Sequence, residues 1–101
     1  LLVLLLSFSY AQSTENAREK AETMCAVCHG INGQASSAGN SAIIPNLTAQ
    51  NKLYLIEKLK DYKSGKLQHH QMTLIAQMLS DIDIEDVSDW YSRFKIIIEK
   101  K

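Results

Sequence analysis

Apolar positions along the chain recur at helical spacing, and no segment sustains the two-residue alternation of a half-buried strand. Ala17, Ala21 and Met24 fall at i, i+4 and i+7, so residues 14–24 are expected to form a helix with a narrow stripe of small residues. Thr14 is a candidate N-cap and Glu15 suits the positive end of the helix dipole. Leu55, Ile56, Leu59 and Tyr62 give a second helix over 51–63. Asn51 or Thr48 is placed to cap it, and Gly65 stands where a helix-stopping glycine belongs. Residues 66–71 are polar and loop-like, and 72–79 have room for one or two helical turns. The last helix starts at Ser80, with Asp83 three residues on as a shortened capping box. Its stripe runs Ile84, Val87, Tyr91, Phe94 and Ile98. Acids crowd its start, and Arg93, Lys95, Lys100 and Lys101 crowd its end, as the macrodipole favours. The expected fold is all-α, with three main helices and short helical turns.

Two stretches break the helical pattern. Residues 30–45 hold Gly30, Gly33 and Gly39 with several Ser and Asn, and read as a long loop. Loops of that length in small domains are usually functional. Residues 1–11 are an uncharged apolar run, too short to span a bilayer and of the length of a signal-peptide core. Ser9 and Ala11 supply a small-x-small cleavage pattern. The expectation is a partial signal peptide over 1–11, cut after Ala11, and a single domain over 12–101 with no stable membrane insertion.

Composition narrows the function. The 101 residues carry 11 Lys+Arg and 11 Asp+Glu, a formal net charge of zero, so the basic excess of a nucleic-acid binder is missing. Two Cys are too few for a disulfide scaffold or a four-cysteine zinc site. A core of this size is marginal alone, and a covalent cofactor would help it.

The two Cys sit in Cys25-Ala26-Val27-Cys28-His29, the C-x-x-C-H pattern of c-type haem attachment. Thiols three positions apart at a helix end add to two vinyl groups on one porphyrin edge, and the next residue, His29, offers an imidazole to the iron. A thioredoxin-type reading lacks its βαβ context. A zinc site from Cys25, Cys28 and two of His29, His69 and His70 has poor spacing, and a plain disulfide leaves His29 unexplained. A sixth iron ligand is expected, and a Met thioether opposite His raises the potential. Met24 adjoins the first thiol and cannot reach the far face. Met72 stands at a loop-to-helix junction where a side chain is readily aimed, whereas Met78, inside an apolar run, reads as core. His69 and His70 are rival ligands, with a solvated loop as their plainer reading.

These residues resemble the small class I cytochromes c of bacterial periplasms, over about Thr14 to Phe94. Cys25 to Gly33 is similar to that family's C-x-x-C-H-G-x-[DN]-G. Pro45-Asn46-Leu47-Thr48-Ala49-Gln50, with Tyr54, Leu55, Leu59 and Gly65, is similar to its P-x-L-A-G-Q and following helix. Met72 lies seven residues before Leu79-Ser80-Asp81, as the family's axial Met does. The resemblance implies a cytochrome c-like fold around one covalent haem c, with iron held by His29 and Met72. It implies that the Pro45 carbonyl accepts a hydrogen bond from the proximal imidazole, and that an aromatic of the last helix, Tyr91 by periodicity, packs on the first. Ala49 replaces a glycine that has positive φ, so that turn is expected to differ, and Lys66 replaces an Arg.

The implied function is a one-electron carrier between a redox donor and an acceptor in the periplasm, a monomer or weak complex and not an enzyme. The alternative is a haem-bearing subunit of a larger periplasmic oxidoreductase, for which the apolar tail Ile96-Ile97-Ile98 would be the contact. The least favoured reading is a non-haem zinc or disulfide module.

Overall fold

A computed structural model describes residues 14–35 and 43–101. The leader and its cleavage point, and the middle of the glycine-rich loop, lie outside the described residues. Among those described, every regular element is helical. Helix α1 covers residues 14–24, α2 is Ala26–His29, α3 is Lys52–Ser64, α4 is Met72–Gln77 and α5 is Asp81–Ser92. Three main helices and two short ones match the expected architecture. Thr14 is itself helical, so the start of α1 is not capped from there; its hydroxyl accepts a bond from Arg93 Nη1.

Local chemistry sets most boundaries. Asn51 wins over Thr48 as the α3 cap, its side chain accepting the Tyr54 N–H, while Thr48 donates its hydroxyl to the Asn32 carbonyl instead. Gly65 ends α3 in the left-handed region at φ 86°. Ser80 and Asp83 form both halves of the capping box at 3.0 Å each. The Ser80 backbone N–H, with smaller help from the Ser80 hydroxyl and Lys20, holds the Asp83 carboxyl below the usual carboxylate range.

The core sits where α1, α3 and α5 meet. Ala21, Leu55 and Tyr91 are buried together, with Cys25, Leu47 and Trp90 half-buried against them. Small residues on α1 let the Tyr91 ring of α5 come in close, as the sequence suggests. Ion pairs from Lys20 to Asp83 and from Lys52 to Glu85 and Asp89 fasten the same helices at the surface.

Three expectations need correction. Helix α5 ends at Ser92, so Phe94 and Ile98 are not on its stripe, and Ile96, Ile97 and Ile98 lie exposed in the non-helical tail. No basic residue occupies the last turn of α5; Arg93 is its C-cap and pairs with Asp89. Met78 is not core: it stands at the C-cap of α4 and is 63% exposed. The short helix turns Ala76 inward and leaves its final residue to solvent.

Candidate functional site

A cavity of about 400 Å³ opens between the helices, a size ordinary for a cofactor site. Cys25, His29, Leu47 and Pro45 line one part of it. Leu55, Leu59 and Tyr62 of α3, Met72 and Ile75 of α4, and Val87, Ser88 and Tyr91 of α5 line much of the rest, with Asn46, Gln50 and Lys58 as polar exceptions in a mainly apolar wall. The partial burial of Leu59, Tyr62, Met72 and Ile75 follows from this. Their apolar side chains face a hollow rather than each other. Such a lining is costly to leave to water.

Helix α1 breaks at Cys25, whose φ of −122° leaves helical geometry, and α2 resumes for four residues. His29 closes that turn, its N–H donating to the Cys25 carbonyl at 2.9 Å. The sequence therefore folds both Cys and His29 onto one short, kinked helical end. Cys25 is partly buried and Cys28 exposed, and both thiols are free. Burial pushes the Cys25 thiol up to about 11, against a smaller opposing pull from Lys20.

His29 is 8% exposed, and its Nδ1 lies 2.9 Å from the Pro45 carbonyl oxygen. A carbonyl only accepts, so Nδ1 carries the hydrogen and Nε2 is left with its lone pair. That is the tautomer a metal requires, and such a bond also fixes ring orientation and raises basicity. The loop that brings Pro45 there is itself stitched to the turn after His29. Leu47 N–H donates to the Gly33 carbonyl at 2.6 Å, and Ala35 N–H to Asn46 Oδ1 at 2.7 Å. Gly33, at φ 86°, passes so close that a Cβ would meet the Leu47 carbonyl carbon at 2.8 Å.

Helix α5 reaches the same turn with two long-range bonds that sequence reasoning missed. The Tyr91 hydroxyl donates to the Gly30 carbonyl at 2.8 Å, and Trp90 Nε1 to the Ile31 carbonyl at 2.7 Å. Burial, with a smaller push from Cys25, holds the Tyr91 phenol above its ordinary range, so it stays a donor. Ala49 keeps the left-handed turn at φ 59° although it is not glycine, and its N–H donates to the Tyr91 carbonyl. The turn expected to differ is thus retained.

Of the candidate residues, Met24, Cys25, His29, Pro45 and Met72 line this cavity, and Cys28, Met78, His69, His70 and Lys66 do not. Among the described residues no three His, Cys, Asp or Glu side chains gather as a metal site, so the zinc alternative has no ligand set there. The residues fit a haem. The hollow is apolar, a free imidazole nitrogen and a thioether belong to its lining, and a thiol stands at its edge. The buried Ser88 hydroxyl, also in the lining, has no hydrogen-bond partner.

The family model for cytochrome c matches residues 14–92. The chain is 42% identical over 71 residues to cytochrome c-554(548) of Halomonas halodenitrificans, covering 67% of this chain and 81% of that protein. It is 32% identical to cytochrome c-553 of Helicobacter pylori, over 90% of this chain and 91% of the relative. It is 30% identical to cytochrome c4 of Pseudomonas aeruginosa, where it spans only 45% of the relative's length. The match across every element that builds the cavity shows that the chain belongs to the cytochrome c family, electron carriers with covalently attached haem c.

Proposed function

We propose that Cys25 and Cys28 would bind one haem c through two thioether bonds and that His29 and Met72 would hold its iron. When bound, the haem supplies a single reversible electron. His29 presents Nε2 because Pro45 holds its other nitrogen. Met72 supplies a soft thioether that favours the ferrous state. The apolar side chains of α3 and α5 exclude water, which also favours the less charged state. With His29 and Met72 both holding the iron, the group would carry an electron with little rearrangement of this chain, and substrate would have no ready place on it. The reading is a periplasmic one-electron carrier that meets its redox donor and acceptor transiently. The apolar run at residues 1–11 supports export. No helix among the described residues is long and apolar enough to cross a membrane.

The observation that supports this reading is the His29–Pro45 bond, which orients the ring and leaves the other imidazole nitrogen of His29 available in the same cavity that Met72 lines. The test is a visible spectrum of the holoprotein, oxidised and dithionite-reduced, before and after acid–acetone extraction. A sharp reduced α-band from haem that stays with the protein is expected. The ferric form should show the weak long-wavelength band of thioether ligation. Met72→Ala should abolish that band and lower the potential, whereas Met78→Ala should leave both unchanged. Survival of the band in Met72→Ala would overturn the ligand assignment.

A further inference from the structure

Helix α4 is only six residues long. A helix so short does not hold together by itself, and its first N–H groups have no partner within it. The side chain assigned to the iron belongs to its first residue, Met72. Whatever fastens the first turn of α4 therefore sets how often the Met72 thioether is in place.

His69 supplies that fastening. Its Nδ1 accepts the Gln71 N–H at 3.2 Å and the Met72 N–H at 3.1 Å. Its own N–H donates to the Thr73 hydroxyl at 2.9 Å, and its carbonyl accepts the Thr73 N–H at 3.1 Å. Both Thr73 bonds use the His69 backbone, so the imidazole adds its hold on the Gln71 and Met72 N–H groups to a turn already tied by Thr73. The ring is also anchored from outside the loop. It sits edge-on to Tyr62 of α3, with centroids 6.4 Å apart, and Tyr62 lines the cavity. Asn and Asp do this work at ordinary helix starts. Here an imidazole does it, with its acceptor nitrogen the same number of bonds from the backbone as an Asn carbonyl oxygen.

We propose that His69 is a positioning residue for the axial Met: its imidazole Nδ1, by holding the Gln71 and Met72 N–H groups, keeps the Met72 thioether presented to the iron. The inference rests on Met72 being the iron ligand. Losing the acceptor lowers the fraction of chains with the first turn of α4 formed, and a competing ligand for the iron gains by that fraction.

The test uses ferric holoprotein of the full chain, titrated with imidazole as the competing ligand. His69→Phe keeps a ring against Tyr62 but has no acceptor, and His69→Asn keeps the acceptor but has no ring. His69→Phe should bind imidazole about fivefold more tightly than wild type, the equivalent of one lost helix cap. His69→Asn should stay within a factor of two of wild type, and the long-wavelength thioether band of both variants should remain without imidazole. Equal imidazole affinity in wild type and His69→Phe, with the wild-type band present, would overturn the positioning role alone. A rise in His69→Asn matching that of His69→Phe would also overturn it, assigning the effect to the ring. A wild-type spectrum without the thioether band would bring down the Met72 assignment and the inference together. Should His69→Phe yield no holoprotein, His69→Leu, which also lacks the acceptor, takes its place with the same expected and overturning outcomes.

Discussion

The two sides of the cavity are built differently. The segment around His29 is held from far away in the chain: by Pro45 and Leu47 from the returning loop, and by Tyr91 and Trp90 from α5, about sixty residues on. The segment around Met72 is hydrogen-bonded mainly from close by, through His69 and Thr73, and reaches α3 through the Tyr62 ring, the Leu67 N–H to the Asp61 carbonyl and Lys63 Nζ to the Leu79 carbonyl. Residues 66–71 are exposed, whereas His29 is buried. Long-range bonds are lost only when the domain unfolds, but local ones open by themselves. The His29 side should thus share the global stability, and the Met72 side should open far more cheaply. On the proposed ligand set an electron carrier would tolerate this, because the Cys25 and Cys28 thioethers and His29 would keep the haem in place when the Met72 side opens.

Damage to the His29 side should therefore be damage to the whole domain. The largest effect is expected at Gly33, where the backbone has positive φ and runs against Leu47 and Thr48. Gly33→Ala should cost roughly 3 kcal/mol from strain and displacement of the loop, read as a lower urea midpoint of the holoprotein. A smaller loss, about 2 kcal/mol, is expected for Tyr91→Phe, which strands the Gly30 carbonyl without its buried donor. The informative readout for Tyr91→Phe is a pair of measurements. Its urea midpoint should fall while its affinity for imidazole stays at the wild-type value. A parallel rise in imidazole affinity would mean that the two sides are one cooperative unit.

The same contrast explains what the sequence made legible. Asn51, Gly65, Ser80 and Asp83 act within four residues of themselves, and the helix ends they mark were readable. The C-x-x-C-H pattern and the Met72 junction are local too. The apolar triplet at 96–98 matched the period of α5 by chance, because an unbroken apolar run offers a match to any helix face. Met78 was misplaced for a related reason: hydrophobicity does not say where a six-residue helix stops turning inward. The bonds from Tyr91 and Trp90 end on backbone carbonyls, which every residue possesses, so no side-chain pattern announces Gly30 or Ile31 as partners. Pro45 was found only through the family resemblance, for the same reason. His69 does carry a local signal, a side-chain acceptor three residues before the start of an apolar turn.

The smallest effect probes the boundary between the two sides, where Leu79 leads into the cap of α5. The Asp83 carboxyl is lowered in the folded protein chiefly by the Ser80 N–H. The unfolded chain then binds more protons than the folded one between the two pKa values, so this contribution rises with pH. It is fully present above the ordinary Asp value of about 3.9 and is lost as pH falls through the lower folded value. Asp83→Ala should lower stability by roughly 0.5–1 kcal/mol at pH 7, the size of one helix cap at a site still partly open to solvent, and the gap to wild type should close in strong acid. Asp86 nearby is pushed the other way, by burial first and then by Asp83, Glu85 and Asp89, so the difference between the two proteins is the quantity to follow. Its effect on imidazole affinity distinguishes the sides once more. A cap that belongs to α5 and the global fold should leave Met72 undisturbed, so urea midpoints should diverge with pH while imidazole titrations coincide. Coincident shifts in both would place residues 79–83 with the labile Met72 segment, and the border between the cheap and the costly parts of the molecule would move into α5.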